Sequence, residues 1–364
     1  MTPLARRTIR RASGFLASRT MTAEPFARMN RLAAAAPLMA AALALAGCAA
    51  SEPPMTTLAP KSDLAQWIYD LMVEVTAWDA LIFLIVVVAF TLAVFFFSTR
   101  VGEAAPPSSV ASDLALEAAW TIGPALVVLM ISIPTVRTIF RSQPPVPPAG
   151  SLEVKVIAHQ WWWEFHYAGS GIATANELHI PVGRPIRLAL QSADVIHSFW
   201  VPQLGGKRDV VPGQINELTL AARVAGTYVG QCAEFCGLSH ANMRLRVIVE
   251  SPEQFALWAK LQQAAPTALS AANAAASDGA RIFANSPCTT CHRIDGVSKG
   301  ALAPDLTHFA SRTTLAAGIL PNTPESVARW IANPGAVKPG AQMPPLGLGA
   351  NQVSDLAAYL ESLK

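Results

Sequence analysis

Charge is what this sequence has least of. Only 14% of its 364 residues are charged and 52% are hydrophobic. An ordinary soluble chain carries about 25% charge, so part of this one belongs in lipid. A net charge of +3 is too small to suggest a nucleic-acid partner, and none is expected. Cysteine is scarce as well: Cys48, Cys232, Cys236, Cys288 and Cys291 are the five. So few exclude a small scaffold stapled by disulfides, and an odd number leaves one thiol over. Widely spread aromatic residues and prolines argue against a disordered chain. The length predicts about two or three domains.

What is present divides into segments. Residues 1–47 read as a targeting segment: arginines, then an apolar run from Leu32 to Ala46 that is too short to span a bilayer. Leu45-Ala46-Gly47-Cys48 resembles a bacterial lipoprotein signal, which implies lipidation at Cys48. Met1, Met21 and Met29 all remain open as the start. Residues 49–62 form a polar linker. Two apolar stretches follow, at about 77–98 and 118–140. Each is close to the roughly 20 residues a spanning helix needs, and charge is confined to Asp79 and Arg137 near their ends. They predict a transmembrane hairpin within 64–142. An exported N-terminus makes the path out, in and out again, so everything after about residue 142 is expected outside the cytoplasmic membrane.

The proline-rich QPPVPPAG at 143–150 marks a boundary. From 151 to 250 apolar residues alternate with polar ones, as in Leu152, Val154 and Val156 against Glu153 and Lys155. Short runs of this kind between Gly and Pro turns predict a sandwich or barrel. Residues 252–263 read as a helix and 264–276 as an Ala-rich linker. The last segment, 277–364, has helical patterns at 278–286, 324–332 and 351–363, and predicts a small all-helical domain.

Residues 232–243 place Cys232, Cys236, His240 and Met243 at spacings of four, four and three. Thiolate, imidazole and thioether together select copper. Zinc more often uses C-x2-C pairs and has little use for a Met. A single His is too few for two metals, and His197 stands upstream at a strand end.

With HQWWW (159–163), SADVIHSFW (192–200) and KRDVVPGQIN (207–216), the copper loop resembles subunit II of the haem-copper cytochrome c oxidases over residues 64–250. The resemblance implies a cupredoxin-like β-barrel holding a dinuclear CuA centre. Cys232 and Cys236 would bridge both coppers. His197 and Met243 would complete one copper, and His240 with the Glu234 carbonyl the other. It further implies a magnesium or manganese ion on the Glu234 carboxylate at the border with subunit I. Trp161 would take electrons in, and Glu117 would stand at the mouth of a proton channel. Without the resemblance, Glu117 reads equally as a solvated charge at a helix start. Trp162 and Trp163 read as packing residues. His159, His166 and His179 read as structural.

Cys288-Thr289-Thr290-Cys291-His292 is the C-x-x-C-H pattern of covalent haem attachment, with His292 as the first axial ligand. Met343 is the only Met beyond it and is expected as the second, ahead of His308. This segment resembles a class I cytochrome c, which implies that the Pro304 carbonyl orients His292.

The order is lipid anchor, membrane hairpin, CuA barrel, cytochrome c. It implies a multidomain membrane protein that passes electrons from a cytochrome c or bc-type donor, through haem c and CuA, to subunit I, which reduces oxygen to water and pumps protons. Other oxidase subunits and the bacterial membrane are the remaining partners. The chain holds no catalytic oxygen site of its own. The alternatives are the electron-input subunit of a CuA-containing nitric oxide reductase and, from a non-enzyme class, a membrane-anchored copper carrier. With every cysteine assigned, no disulfide is expected.

Overall fold

The computed structural model describes residues 55–97, 113–142, 146, 148–266 and 273–364. The targeting segment and Cys48 lie outside the described residues.

Two long helices come first: α1, Asp63–Phe97, and α2, Leu114–Ser142. Both are long and apolar enough to cross a membrane. Side chains from Leu81 to Phe96 stand largely exposed, as lipid-facing groups do. Hydroxyls within them fold back onto their own helix: Thr91 donates to the Val87 carbonyl and Ser132 to that of Val128, each at 2.7 Å. No bare donor is then presented to hydrocarbon at these positions. Pro124 and Pro134 lie inside α2.

Helix α1 begins well before residue 77. Its first turns pack on the β-domain, so they mix polar and apolar residues and escape a search for apolar runs. The Ser62 hydroxyl donates to the Leu204 carbonyl at 2.6 Å and accepts from the Ala65 N–H at 3.0 Å. Leu64 and Ala65 are buried, and Asp63 pairs with Arg223.

The β-domain has ten strands: β1 Leu152–His159, β2 Trp162–Tyr167, β3 Ala173–Ala175, β4 Glu177–Pro181, β5 Ile186–Ser192, β6 His197–Trp200, β7 Arg208–Val210, β8 Asn216–Leu220, β9 Gly226–Cys232 and β10 Arg244–Glu250. They form two five-stranded sheets, ordered β3-β2-β1-β5-β8 and β4-β10-β9-β6-β7. β1 runs parallel to β5, and β10 parallel to β4; the other pairings within these sheets are antiparallel. Alternation delivers one face of each strand to a shared core, where Trp163, Phe165, Leu188, Phe199 and Leu245 are fully buried. Helix α3, Pro252–Gln263, opens on a capping box between Ser251 and Gln254. It lays Trp258 on Tyr167 and stacks it on His179 at 4.3 Å between ring centroids.

The last domain contains α4 Ala274–Ala284, α5 Cys288–Cys291, α6 Pro324–Ala332, α7 Pro334–Val337 and α8 Ala350–Leu360. Helix α4 starts inside the expected linker, because Asn273 caps it and alanines sustain it. Two ladders of two residues per strand supplement the helices: β11 Arg293–Ile294 with β12 Ser298–Lys299, and β13 Thr314–Leu315 with β14 Leu320–Pro321. Helices α4 and α8 cross so closely that a Cβ at Gly279 would lie 2.0 Å from the Asp355 carbonyl oxygen. Only glycine fits there.

Candidate functional site

Strands β9 and β10 are antiparallel neighbours, and the loop between them carries the Cys-His-Met cluster. Cys232 closes β9, Met243 directly precedes β10, and His197 opens the adjacent β6. Sheet pairing therefore converges ligands that the sequence separates. The Sγ atoms of Cys232 and Cys236 are 3.8 Å apart. His197 Nδ1 stands 3.9 Å from the Cys232 sulfur and His240 Nδ1 3.5 Å from that of Cys236. The Met243 sulfur lies 3.9 Å from Cys236, and the Glu234 carbonyl 3.2 Å from Cys232. The Glu234 side chain itself is exposed.

This donor set fits a soft cation. The sulfur–sulfur contact with Cys236 draws the Cys232 thiol well below its ordinary range. The same contact, together with burial, pushes Cys236 up. Two buried thiols this close resist double ionisation unless a cation sits between them. The residues present therefore suit a metal with a soft, sulfur-rich preference.

His197 is held by a residue the sequence reading passed over. Its Nε2 lies 2.8 Å from Asp194 Oδ1, three positions upstream, leaving Nδ1 toward the sulfurs. Burial alone would lower the imidazole's pKa; contacts with Cys232 and Asp194 outweigh it and raise it. A carboxylate behind a ligating imidazole fixes ring and tautomer. Trp163 packs edge-on to His197 and Phe199 as part of the core.

A cavity of about 430 Å³ lies mostly in the last domain, with Trp161 and Trp162 of the barrel on one side. Cys288, Cys291, His292, Pro304 and Met343 all line it. His292 Nδ1 stands 2.8 Å from the Pro304 carbonyl. Burial pushes this imidazole down, toward the neutral form that ligates iron. A hollow edged by two thiols, an imidazole and a thioether fits a covalently held haem. His308 faces a different, smaller cavity, which opposes it as the second axial ligand.

Trp161 joins the two sites. Its indole Nε1 donates to the Cys236 carbonyl at 3.0 Å, while the side chain lines the haem-domain cavity. Gln160 donates to the same carbonyl at 2.7 Å. Trp162 lines the cavity as well and stacks on His159 at 4.3 Å, so packing describes Trp163 better than Trp162. His159 and His166 pair with Glu164, and His179 with Glu250, all structural contacts.

From the haem domain, Lys338 donates to the Trp161 carbonyl and lies 3.4 Å from that of Ala316. Burial pushes its amine down to about 7. Ser239 of the copper loop donates to the Pro339 carbonyl at 2.5 Å. Gly340 has φ +80°, and a Cβ there would come within 2.9 Å of the Trp161 ring. Spacing gave no sign of Lys338 or Gly340, because their partners lie far away in sequence. Glu117 stands half-buried in the first turn of α2.

Known proteins resemble this chain along most of its length. The family described as "Cytochrome C oxidase subunit II, periplasmic domain" matches residues 170–251, and "Cytochrome c" matches 276–364. Cytochrome c oxidase subunit 2 of Alkalihalophilus pseudofirmus is 35% identical over 90% of this chain and 96% of its own. That of Bacillus sp. (strain PS3) is 34% identical over 89% and 95%. Among solved structures, the periplasmic domain of subunit II of cytochrome oxidase from Bradyrhizobium japonicum is 31% identical, covering 32% of this chain and 97% of that one, with a TM-score of 0.31. By its near full-length identity to those relatives, the chain belongs to the cytochrome c oxidase subunit 2 family, in a form that ends in a cytochrome c domain.

Proposed function

We propose that this chain is the electron-input subunit of a haem-copper terminal oxidase, taking electrons at its cytochrome c domain and delivering them through its copper domain to subunit I. There oxygen is reduced to water and protons are pumped. The observation that carries the reading is Trp161, one side chain bonded to the copper loop and lining the haem-domain cavity.

When bound, the covalent haem and the copper pair supply reversible one-electron chemistry. Cys232, Cys236, His197, His240, Met243 and the Glu234 carbonyl would hold the copper pair. Cys288 and Cys291 would attach the haem, His292 and Met343 would hold its iron, and the Pro304 carbonyl would orient His292. Asp194 and the buried sheets keep the copper ligands in place, so a change of charge moves few atoms. Exposed Phe235 and Leu238, at 76% and 73%, give the copper loop an apolar tip suited to subunit I. At that border the Glu234 carboxylate would be a ligand for magnesium or manganese, to which subunit I would add the others. Glu117 lies at a proton-channel mouth. Cys48 anchors the N-terminus in lipid, and both redox domains face outward.

The test is transient reduction of the purified complex by a soluble donor. Haem reduction is expected first, then copper reduction, then oxygen consumption. Trp161→Ala should slow the second event and leave the first unchanged. Equal copper reduction in the variant, or turnover of nitric oxide in place of oxygen, would overturn the reading.

A further inference from the structure

The interface between barrel and haem domain contains a carboxylate that neither site uses. Glu177, the first residue of β4, is 2% exposed. Its Oε1 accepts from the Thr313 N–H at 3.0 Å, the Thr313 hydroxyl at 2.6 Å, and the Thr314 N–H and hydroxyl at 2.8 Å each. Its Oε2 also accepts from the Thr313 N–H at 3.0 Å. Every one of these donors belongs to the haem domain, some 136 residues along the chain. A buried carboxylate is costly without donors and strongly held with them.

The latch adjoins the redox path. Thr314 begins β13, and Thr314, Leu315, Ala316 and Ala317 form one wall of the haem-domain cavity. Around it, Arg246 donates to Thr313 at 3.1 Å and the Arg244 N–H to the Ala317 carbonyl at 3.2 Å. The same docked arrangement leaves Trp161 only 9% exposed. The haem domain thus covers the face at which a soluble donor would meet the barrel.

We propose that Glu177 is a positioning residue that latches the haem domain onto the copper domain, fixing the distance for internal electron transfer and closing the Trp161 face to soluble cytochromes. This rests on the function proposed above. One electron passes from the haem side to the copper side, with no bond made or broken and no proton required. Without the latch the domain would be held by its chain connection and the remaining contacts, among them Lys338 with the Trp161 carbonyl and Ser239 with that of Pro339, and transfer would wait on redocking.

Photoreduction of the haem in the whole oxidase, followed by the rate of copper reduction, tests the latch. Glu177→Ala should lower the internal rate by about tenfold, the loss expected from removing charge-assisted hydrogen bonds from a docking equilibrium. Glu177→Gln, which keeps one acceptor oxygen, should fall between. Haem and copper spectra and potentials should stay unchanged, separating loss of position from damage to either site. The alanine variant should also gain direct copper reduction by added soluble cytochrome c, at a rate rising with its concentration. An unchanged internal rate with no such gain would overturn the latch. If Glu177→Ala does not assemble, Thr313→Ala with Thr314→Val is read by the same criteria. Absence of haem-to-copper transfer in the unaltered oxidase would instead overturn the proposed function, and the latch with it.

Discussion

The copper domain and the haem domain solve opposite problems. The barrel has a core of its own side chains: Phe165, Leu188 and Phe199 fill it, and sheet pairing brings the ligands together. The haem domain is organised around a hollow. Its helices and two short ladders surround a cavity of about 430 Å³, and its buried cluster lies around that space. One region is a scaffold to which a cofactor is added; the other needs the cofactor as part of its core. Removing each cofactor should therefore have different consequences.

The largest effect is expected from replacing both Cys288 and Cys291 by Ala. Without haem, the apolar walls around this cavity lose the group they pack against, and the domain loses part of its core. Limited proteolysis should remove the segment after residue 276 while the barrel stays intact and copper-loaded. A protease-resistant haem domain in this variant would break the contrast.

Cys236→Ser tests the other half. Copper content should fall to background, and oxygen consumption by at least about 100-fold, since a ligand matters more than its supporting contacts. The barrel should remain folded, losing at most about 2 kcal/mol in thermal unfolding. Collapse of the barrel would show that its scaffold depends on metal as well.

The smallest effect concerns the outer face of the barrel. Burial raises the Glu164 carboxyl, but His159 and His166 outweigh it and draw it down to about 2. A depressed carboxylate stabilises the fold above its unfolded value of 4.5 and loses that contribution as pH falls toward about 2. Glu164→Gln should cost about 1 kcal/mol above pH 4.5 and flatten the acid limb, as read by near-UV circular dichroism. An unaltered acid limb would show that this triad contributes nothing.

Legibility followed sequence distance. The copper loop could be read because four side chains lie within twelve residues, and the haem attachment because its pattern is contiguous. The Pro304 contact with His292 was what the resemblance to a class I cytochrome c implied. Asp194 was within reach, three residues from His197, yet an aspartate in a loop has many ordinary uses. Glu177 looked like any polar strand residue, and Lys338 like any surface lysine. Their partners are more than a hundred residues away. The start of α1 escaped for a related reason: hydropathy detects lipid, whereas its first turns face protein.

The sequence by itself determined the parts and their chemistry: two long apolar helices, a soft-metal loop, a C-x-x-C-H segment and their order. Local spacing decides such features, because each needs particular residue types close together along the chain. The tertiary structure alone decided how the sites meet. It set Trp161 against both, buried Glu177 beneath Thr313 and Thr314, and closed Lys338 over the Trp161 carbonyl. Burial converts these ordinary polar groups into specific contacts, because a charge or donor removed from water must find its partner within the fold.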